Sequence, residues 1–114
     1  MVNVKVETID GVVICQPVGE LDAASVAAFR SALAEVVTKG DLVIDLAEVP
    51  FMDSAGLGAL IGGIRRTREA GGEVALSCNR PTLIRLLETT GFDRIVSVTR
   101  DRASAVATLA AARS

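Results

Sequence analysis

At Asp53-Ser54 the chain changes its hydrophobic period, and that change limits what it can fold into. Upstream, Asp41-Leu42-Val43-Ile44-Asp45-Leu46 is a short β-branched run with acidic punctuation, and Pro50 ends the residues that follow it. Downstream, Leu57, Leu60, Ile61 and Ile64 fall at i, i+3, i+4 and i+7, the stripe of an amphipathic helix. The joining segment, Phe51-Met52-Asp53-Ser54-Ala55-Gly56-Leu57-Gly58, therefore places Ser54 at or next to a helix N-cap where a strand has just ended. Unpaired N–H groups and the positive end of the helix dipole meet at such a place, so an anionic group on Ser54 is locally tolerated.

The same alternation extends over the rest of the chain. Val2, Val4 and Val6 share one face, and after Asp10-Gly11 an apolar run continues from Val12 to Val18, which reads as an antiparallel hairpin with a D-G turn. Gly19-Glu20-Leu21-Asp22 closes that strand. Helical spacing of Val26, Phe29, Leu33, Val36 and Val37 predicts a helix from Ala23 to Thr38, with Asp22 as its N-cap and Gly40 just past its end. Strands are expected at Leu42–Leu46, Glu73–Cys78 and Ile95–Val98. Helices are expected from Ser54 to about Ala70, from Pro81 to Thr90 and from Ala103 to Ala112. The order ββαβαβαβα implies an α/β fold, a mostly parallel open sheet with an antiparallel N-terminal edge strand. Right-handed crossovers running one way place the helices on one face and leave the other partly covered. The Asp22 and Ser54 turns, each following a strand, are expected on the same rim.

Length suits one domain, 1–114, able to bury roughly two thirds of its unfolded surface without a staple. Cys15 and Cys78 lie in apolar runs with no C-x-x-C spacing and read as buried free thiols. The N-terminus alternates from Met1 to Glu7 and lacks the basic-then-apolar order of a signal peptide, and the uncharged stretch from Ser54 to Ile64 is far short of the ~20 residues that span a bilayer. A cytoplasmic protein without membrane insertion is expected. With no histidine, histidine catalysis and histidine metal sites are excluded, and scattered carboxylates leave no metal centre and no cofactor site. A net charge of −2 with three phenylalanines as the only aromatics gives neither a phosphate footprint nor a stacking platform for nucleic acid. Charge is uneven, with nine acids and three bases up to Asp53 and five acids and nine bases after it.

As a nucleophile, Ser54 matches half of a G-x-S-x-G elbow, but Met52 holds the leading glycine position and no histidine can act as base; Lys5 and Lys39 are not aimed at it. A dinucleotide fingerprint fails at Ile61, and no Walker loop is present. The plain structural reading makes Ser54, Asp22 and Asp53 helix caps and Arg65, Arg66 and Arg68 complements to the helix dipole. Gly56, Gly58, Gly62 and Gly63 each cost up to ~1 kcal/mol in a helix relative to alanine. Close packing against the sheet accounts for some of these, while Gly56 and Gly58 in an exposed first turn read as a place where another surface approaches the backbone.

Gly19-Glu20-Leu21-Asp22, Val43-Ile44-Asp45-Leu46, Phe51-Met52-Asp53-Ser54-Ala55-Gly56-Leu57-Gly58 and Gly71-Gly72-Glu73-Val74 together resemble the bacterial anti-sigma factor antagonists, single-domain members of the STAS superfamily. Ala55 departs from relatives that carry a second serine there. The resemblance implies that Ser54 is phosphorylated by an anti-sigma factor that is itself a serine kinase, with ATP and magnesium on the kinase side. It implies that the unphosphorylated form binds this kinase and releases a sigma factor, and that a serine phosphatase restores it. Asp22, Asp53, Ser54, Gly56, Leu57 and Gly58 are the partner-binding residues on this reading. The alternative is a STAS subunit that regulates a membrane transporter or other assembly without phosphorylation. Saturable nucleotide binding would instead mark a nucleotide-binding or hydrolysing domain.

Overall fold

Asp10 and Gly11 both adopt positive φ, 53° and 79°, and between them they turn β1 (Asn3–Ile9) directly into β2 (Val12–Val18). Ile9 pairs with Val12 across a two-residue loop, the connection that matches strand twist. A computed structural model describes residues 2–113; Met1, where the predicted first strand begins, and Ser114 lie outside the described residues. The chain continues through α1 (Val26–Val36), β3 (Leu42–Asp45), α2 (Ser54–Glu69), β4 (Val74–Ser77), α3 (Pro81–Thr89), β5 (Ser97–Thr99) and α4 (Arg102–Arg113), with a 3-10 turn at Phe92–Arg94 before β5. The sheet order is β1-β2-β3-β4-β5. The first pair is antiparallel and the others are parallel, as the element order implies.

Alternation along the central strands divides the interior in two. Cys15, Leu42, Ile44, Val74 and Leu76 face α1, α2 and α3, where Phe29, Leu33, Leu60, Ile64 and Leu87 complete the main core. Val12, Ile14, Val43 and Ala75 face the other way and are covered by Ala105, Val106 and Leu109 of α4. The expectation of all helices on one face is therefore corrected. Helix α4 follows β5 at the sheet edge and turns back across the opposite face.

Charge fixes that choice. Asp45, only 4% exposed, accepts from Arg102 Nε at 3.0 Å and Nη2 at 2.9 Å and from Gln16 Nε2 at 3.2 Å, while its other oxygen takes the Ala47 amide at 3.0 Å. Arg102 also pairs with Glu7. The first residue of α4 is thus bound to β1 and β3, and Gln16 of β2 joins the group through Asp45. Both cysteines are buried and free, and burial pushes the Cys15 thiol up to about 11 and raises that of Cys78.

Several element boundaries differ from the periodicity reading, and two of the shifted starts have a clear local cause. Helix α1 begins three residues later than predicted because a turn at 22–25 intervenes. Ser25 at its N-cap position makes no capping bond, and Asp22 organises the turn instead. Strand β5 begins at Ser97 because the 3-10 turn takes up Phe92–Arg94, which leaves Ile95 43% exposed.

Candidate functional site

The exits of β2 and β3 are stitched together at the carboxyl end of the sheet. Leu21 and Met52 form an isolated parallel bridge, in which the Leu21 amide donates to the Phe51 carbonyl at 3.0 Å and the Asp53 amide to the Leu21 carbonyl at 3.2 Å. Asp53, extended at φ −112° and ψ −167°, is the N-cap of α2. Its Oδ1 accepts the amides of Ala55 at 2.8 Å and Gly56 at 3.3 Å, and its Oδ2 accepts the amide of Ala23 at 3.3 Å. One carboxylate caps the helix and joins the two turns, so the Asp22 and Ser54 turns do share a rim.

Ser54 is the first residue of the helix, next to the cap and not the cap itself. It is exposed, and its hydroxyl has no hydrogen-bond partner among the described residues. Of the unpaired amides expected here, that of Ser54 remains while the next three are taken. Asp53 Oδ1 already holds the amides of Ala55 and Gly56, and the Leu57 amide donates to the Asp53 carbonyl at 3.0 Å. The amide of Ser54 itself and the helix dipole remain to favour negative charge.

Asp22 lies on the same rim, half-buried. Its Oδ1 accepts the Ser25 hydroxyl at 2.7 Å and the amides of Ser25 at 3.0 Å and Ala24 at 3.1 Å. The Ser25 hydroxyl is the chief reason that its carboxyl lies below its ordinary value; desolvation opposes it, and the amides of Ser25 and Ala24 add to the lowering.

The glycines of α2 differ in what they permit. A Cβ at Gly56 would stand 2.5 Å from the Leu21 carbonyl oxygen and from Met52 Cγ, so Gly56 is buried against its own chain and offers no surface to another molecule. Gly63 packs against Leu33, whose Cδ1 would lie 3.0 Å from an added Cβ and would have to shift by a few tenths of an ångström. Gly58 is exposed, with Arg30 Nη2 at 3.6 Å from an added Cβ as its nearest neighbour, and the reading of an open backbone holds there.

Because small residues turn inward, the predicted apolar stripe is rotated. Gly56, Ala59, Leu60, Gly63, Ile64 and Thr67 are buried, while Leu57 and Ile61 are only half-buried beside exposed Ser54 and Gly58. Phe51, 52% exposed, stands at the entry to the helix. Sequence reasoning passed over Phe51 and Arg30. The first could have been found as a large aromatic beside the motif, the second as one of only three bases before Asp53. Arg66 and Arg68 occupy the last turn of α2, and Arg68 pairs with Glu73 at 2.7 Å. Among the described residues no group of His, Cys, Asp and Glu is arranged to hold a metal ion, and no helix is long and apolar enough to cross a membrane.

A mixed sheet in sequence order, with a helix start pinned between two strand exits, is the architecture of the STAS domain, and the chain belongs to that family, whose model matches residues 3–105. Its relatives are anti-sigma factor antagonists. The anti-sigma-B factor antagonist of Bacillus subtilis (strain 168) is 33% identical over 98 residues, 85% of this chain and 90% of that one. An anti-sigma factor antagonist from Mycobacterium paratuberculosis superposes with a TM-score of 0.85 at 28% identity, over 96% of this chain and 94% of that one. The Bacillus cell fate determinant SpoIIAA in its phosphorylated form shares the fold, with a TM-score of 0.68 at 20% identity over 90% and 96% of the two chains.

Proposed function

We propose that this protein is a phosphorylation-controlled partner switch that binds an anti-sigma factor serine kinase while Ser54 is unmodified and thereby frees a sigma factor. The observation that carries the reading is the Ser54 hydroxyl itself, exposed and unpartnered at the start of a helix whose cap is supplied by its neighbour. Around it, Leu57, Gly58 and Phe51 present apolar and bare backbone surface, and Asp22 and Asp53 set the edge. Gly56 serves the face from beneath by letting α2 lie against Leu21. The names of the relatives support the antagonist role, and SpoIIAA, which shares the fold, has been observed phosphorylated.

The protein acts as substrate and ligand, not as catalyst. ATP and magnesium sit on the kinase. Ser54 Oγ attacks the γ-phosphorus, the bond to the departing ADP breaks, and the hydroxyl proton passes to a base on the kinase. The product carries about −1.5 to −2 charges on a face already edged by Asp22 and Asp53, which opposes re-docking. A serine phosphatase in the same cytoplasm restores the hydroxyl.

The test is incubation with candidate anti-sigma kinases and ATP, read by intact-mass and peptide mass spectrometry. One phosphate on Ser54, absent from Ser54→Ala, is expected, together with undiminished kinase binding by Ser54→Ala and weakened binding by Ser54→Asp. A kinase that binds the chain yet leaves Ser54 unmodified would overturn the reading in favour of a docking subunit that works without phosphorylation.

A further inference from the structure

Arg30 projects from α1 across the first turn of α2. Its Nη2 lies 3.5 Å from the Ala55 carbonyl oxygen, at the long limit of a hydrogen bond, and 3.6 Å from the point where a Cβ on Gly58 would stand. Residues 54 and 58 are one turn apart on the same helix face, with Cβ positions about 5–6 Å apart, so the guanidinium borders the space over Ser54. Three features make this charge available. Arg30 has no carboxylate partner among the described residues. The acids of this rim are engaged elsewhere, Asp53 with three amides and Asp22 with the Ser25 hydroxyl. The bare Gly58 leaves the path from α1 to position 54 unobstructed.

We infer that Arg30 is the positioning residue of the phosphorylated state: it gives up its weak bond to the Ala55 carbonyl and pairs with the phosphate on Ser54, laying it over Gly58. This rests on Ser54 being the acceptor, as proposed above. The exchange replaces a long bond to a neutral oxygen with charge-assisted bonds to a dianion, for which the guanidinium fork is suited. It also adds donors at a helix start where Ala55, Gly56 and Leu57 are already committed and the amide of Ser54 is left. Phosphorylation then closes the open surface at Gly58 with a folded-down ion pair in addition to changing its charge.

Phosphoserine installed at position 54 during translation, with no kinase involved, allows a direct test. The second ionisation of the phosphate is followed by phosphorus NMR against pH in the otherwise unchanged protein, in Arg30→Gln and in the charge-conserving Arg30→Lys. A nearby cation favours the dianion, so Arg30→Gln is expected to raise the phosphate's second pKa by roughly 0.3–0.7 unit, the scale of an exposed ion pair, and Arg30→Lys to recover part of the shift. In addition, the Arg30 Nε resonance should move through the same midpoint. Coincident titrations for the unchanged and Arg30→Gln proteins would overturn the inference while leaving the kinase assay of Ser54 untouched, and failure of that assay would leave this result standing.

Discussion

Asp53 Oδ2 accepts the amide of Ala23 at 3.3 Å while Oδ1 of the same carboxylate caps α2, so the turn after β2 and the helix after β3 are set by one side chain. Backbone bonds between Leu21 and the Phe51–Asp53 segment hold the other side of this junction. Ser54 inherits its position from both.

Replacing Asp53 by alanine removes the cap and the tie together. The expected loss is about 1–2 kcal/mol, which for a chain of this size lowers the melting temperature by roughly 5–10 °C. Asp53→Asn keeps an acceptor oxygen on the cap and should recover most of the loss. Thermal unfolding followed by circular dichroism checks both, and an unchanged melting point for Asp53→Ala would contradict the arrangement.

Two glycines of the same helix should respond with opposite signs. Gly62→Ala meets nothing closer than Arg66 Nη2 at 3.8 Å and should stabilise by about 0.5–1 kcal/mol through helix propensity. Gly56→Ala drives a Cβ to 2.5 Å from a backbone oxygen and should destabilise by about 1–3 kcal/mol, as overpacking does. Denaturant midpoints of the two variants decide the matter.

The depressed Asp22 carboxyl contributes stability that is present above its ordinary value of 3.8 and is lost as pH falls through the lower folded value. The Ser25 hydroxyl is the main cause. In Ser25→Ala the Asp22 titration should move back up toward the ordinary value, and acid loosening of the 22–25 turn should begin at higher pH. Carbon NMR of the Asp22 side chain against pH measures the shift directly.

Removing Arg102 strands the buried Asp45 carboxylate with only Gln16 and the Ala47 amide as donors. Breaking a buried pair costs about 3–5 kcal/mol, and partial exposure of Arg102 places Arg102→Ala at or below the low end of that range. Amide exchange should accelerate throughout α4 before it does in α1 or α2. Uniform acceleration in all helices would show that Arg102 does not act as the anchor of α4.

Local signals announced the hairpin and the start of α2. Asp10-Gly11 demands a tight turn by its own backbone chemistry, and the break in period at Asp53-Ser54 is visible in the residues around it. What escaped depended on residues distant in sequence. Asp53 was legible as a cap, but the choice between it and Ser54 follows from an extended backbone held by Leu21; that Gly56 is required follows from the Leu21 carbonyl; that Arg30 reaches position 58 follows from how α1 lies on α2. The face taken by α4 was hidden for the same reason, since Asp45, Gln16 and Arg102 come together only after the sheet has formed. Leu57 and Ile61 illustrate the limit of periodicity itself. Apolar spacing located the helix, but the small residues beside them decided which side faced inward.

The strands stand side by side in the order in which they are synthesised. Each strand pairs with its predecessor, after a tight turn for β2 and after one α-helix for each of the others, which keeps the entropy of every closure modest. The Leu21–Met52 bridge and the Asp53 cap draw only on residues 21–56, so the platform beneath Ser54 is built wholly from the acidic first half of the chain, while most of its arginines lie in the second.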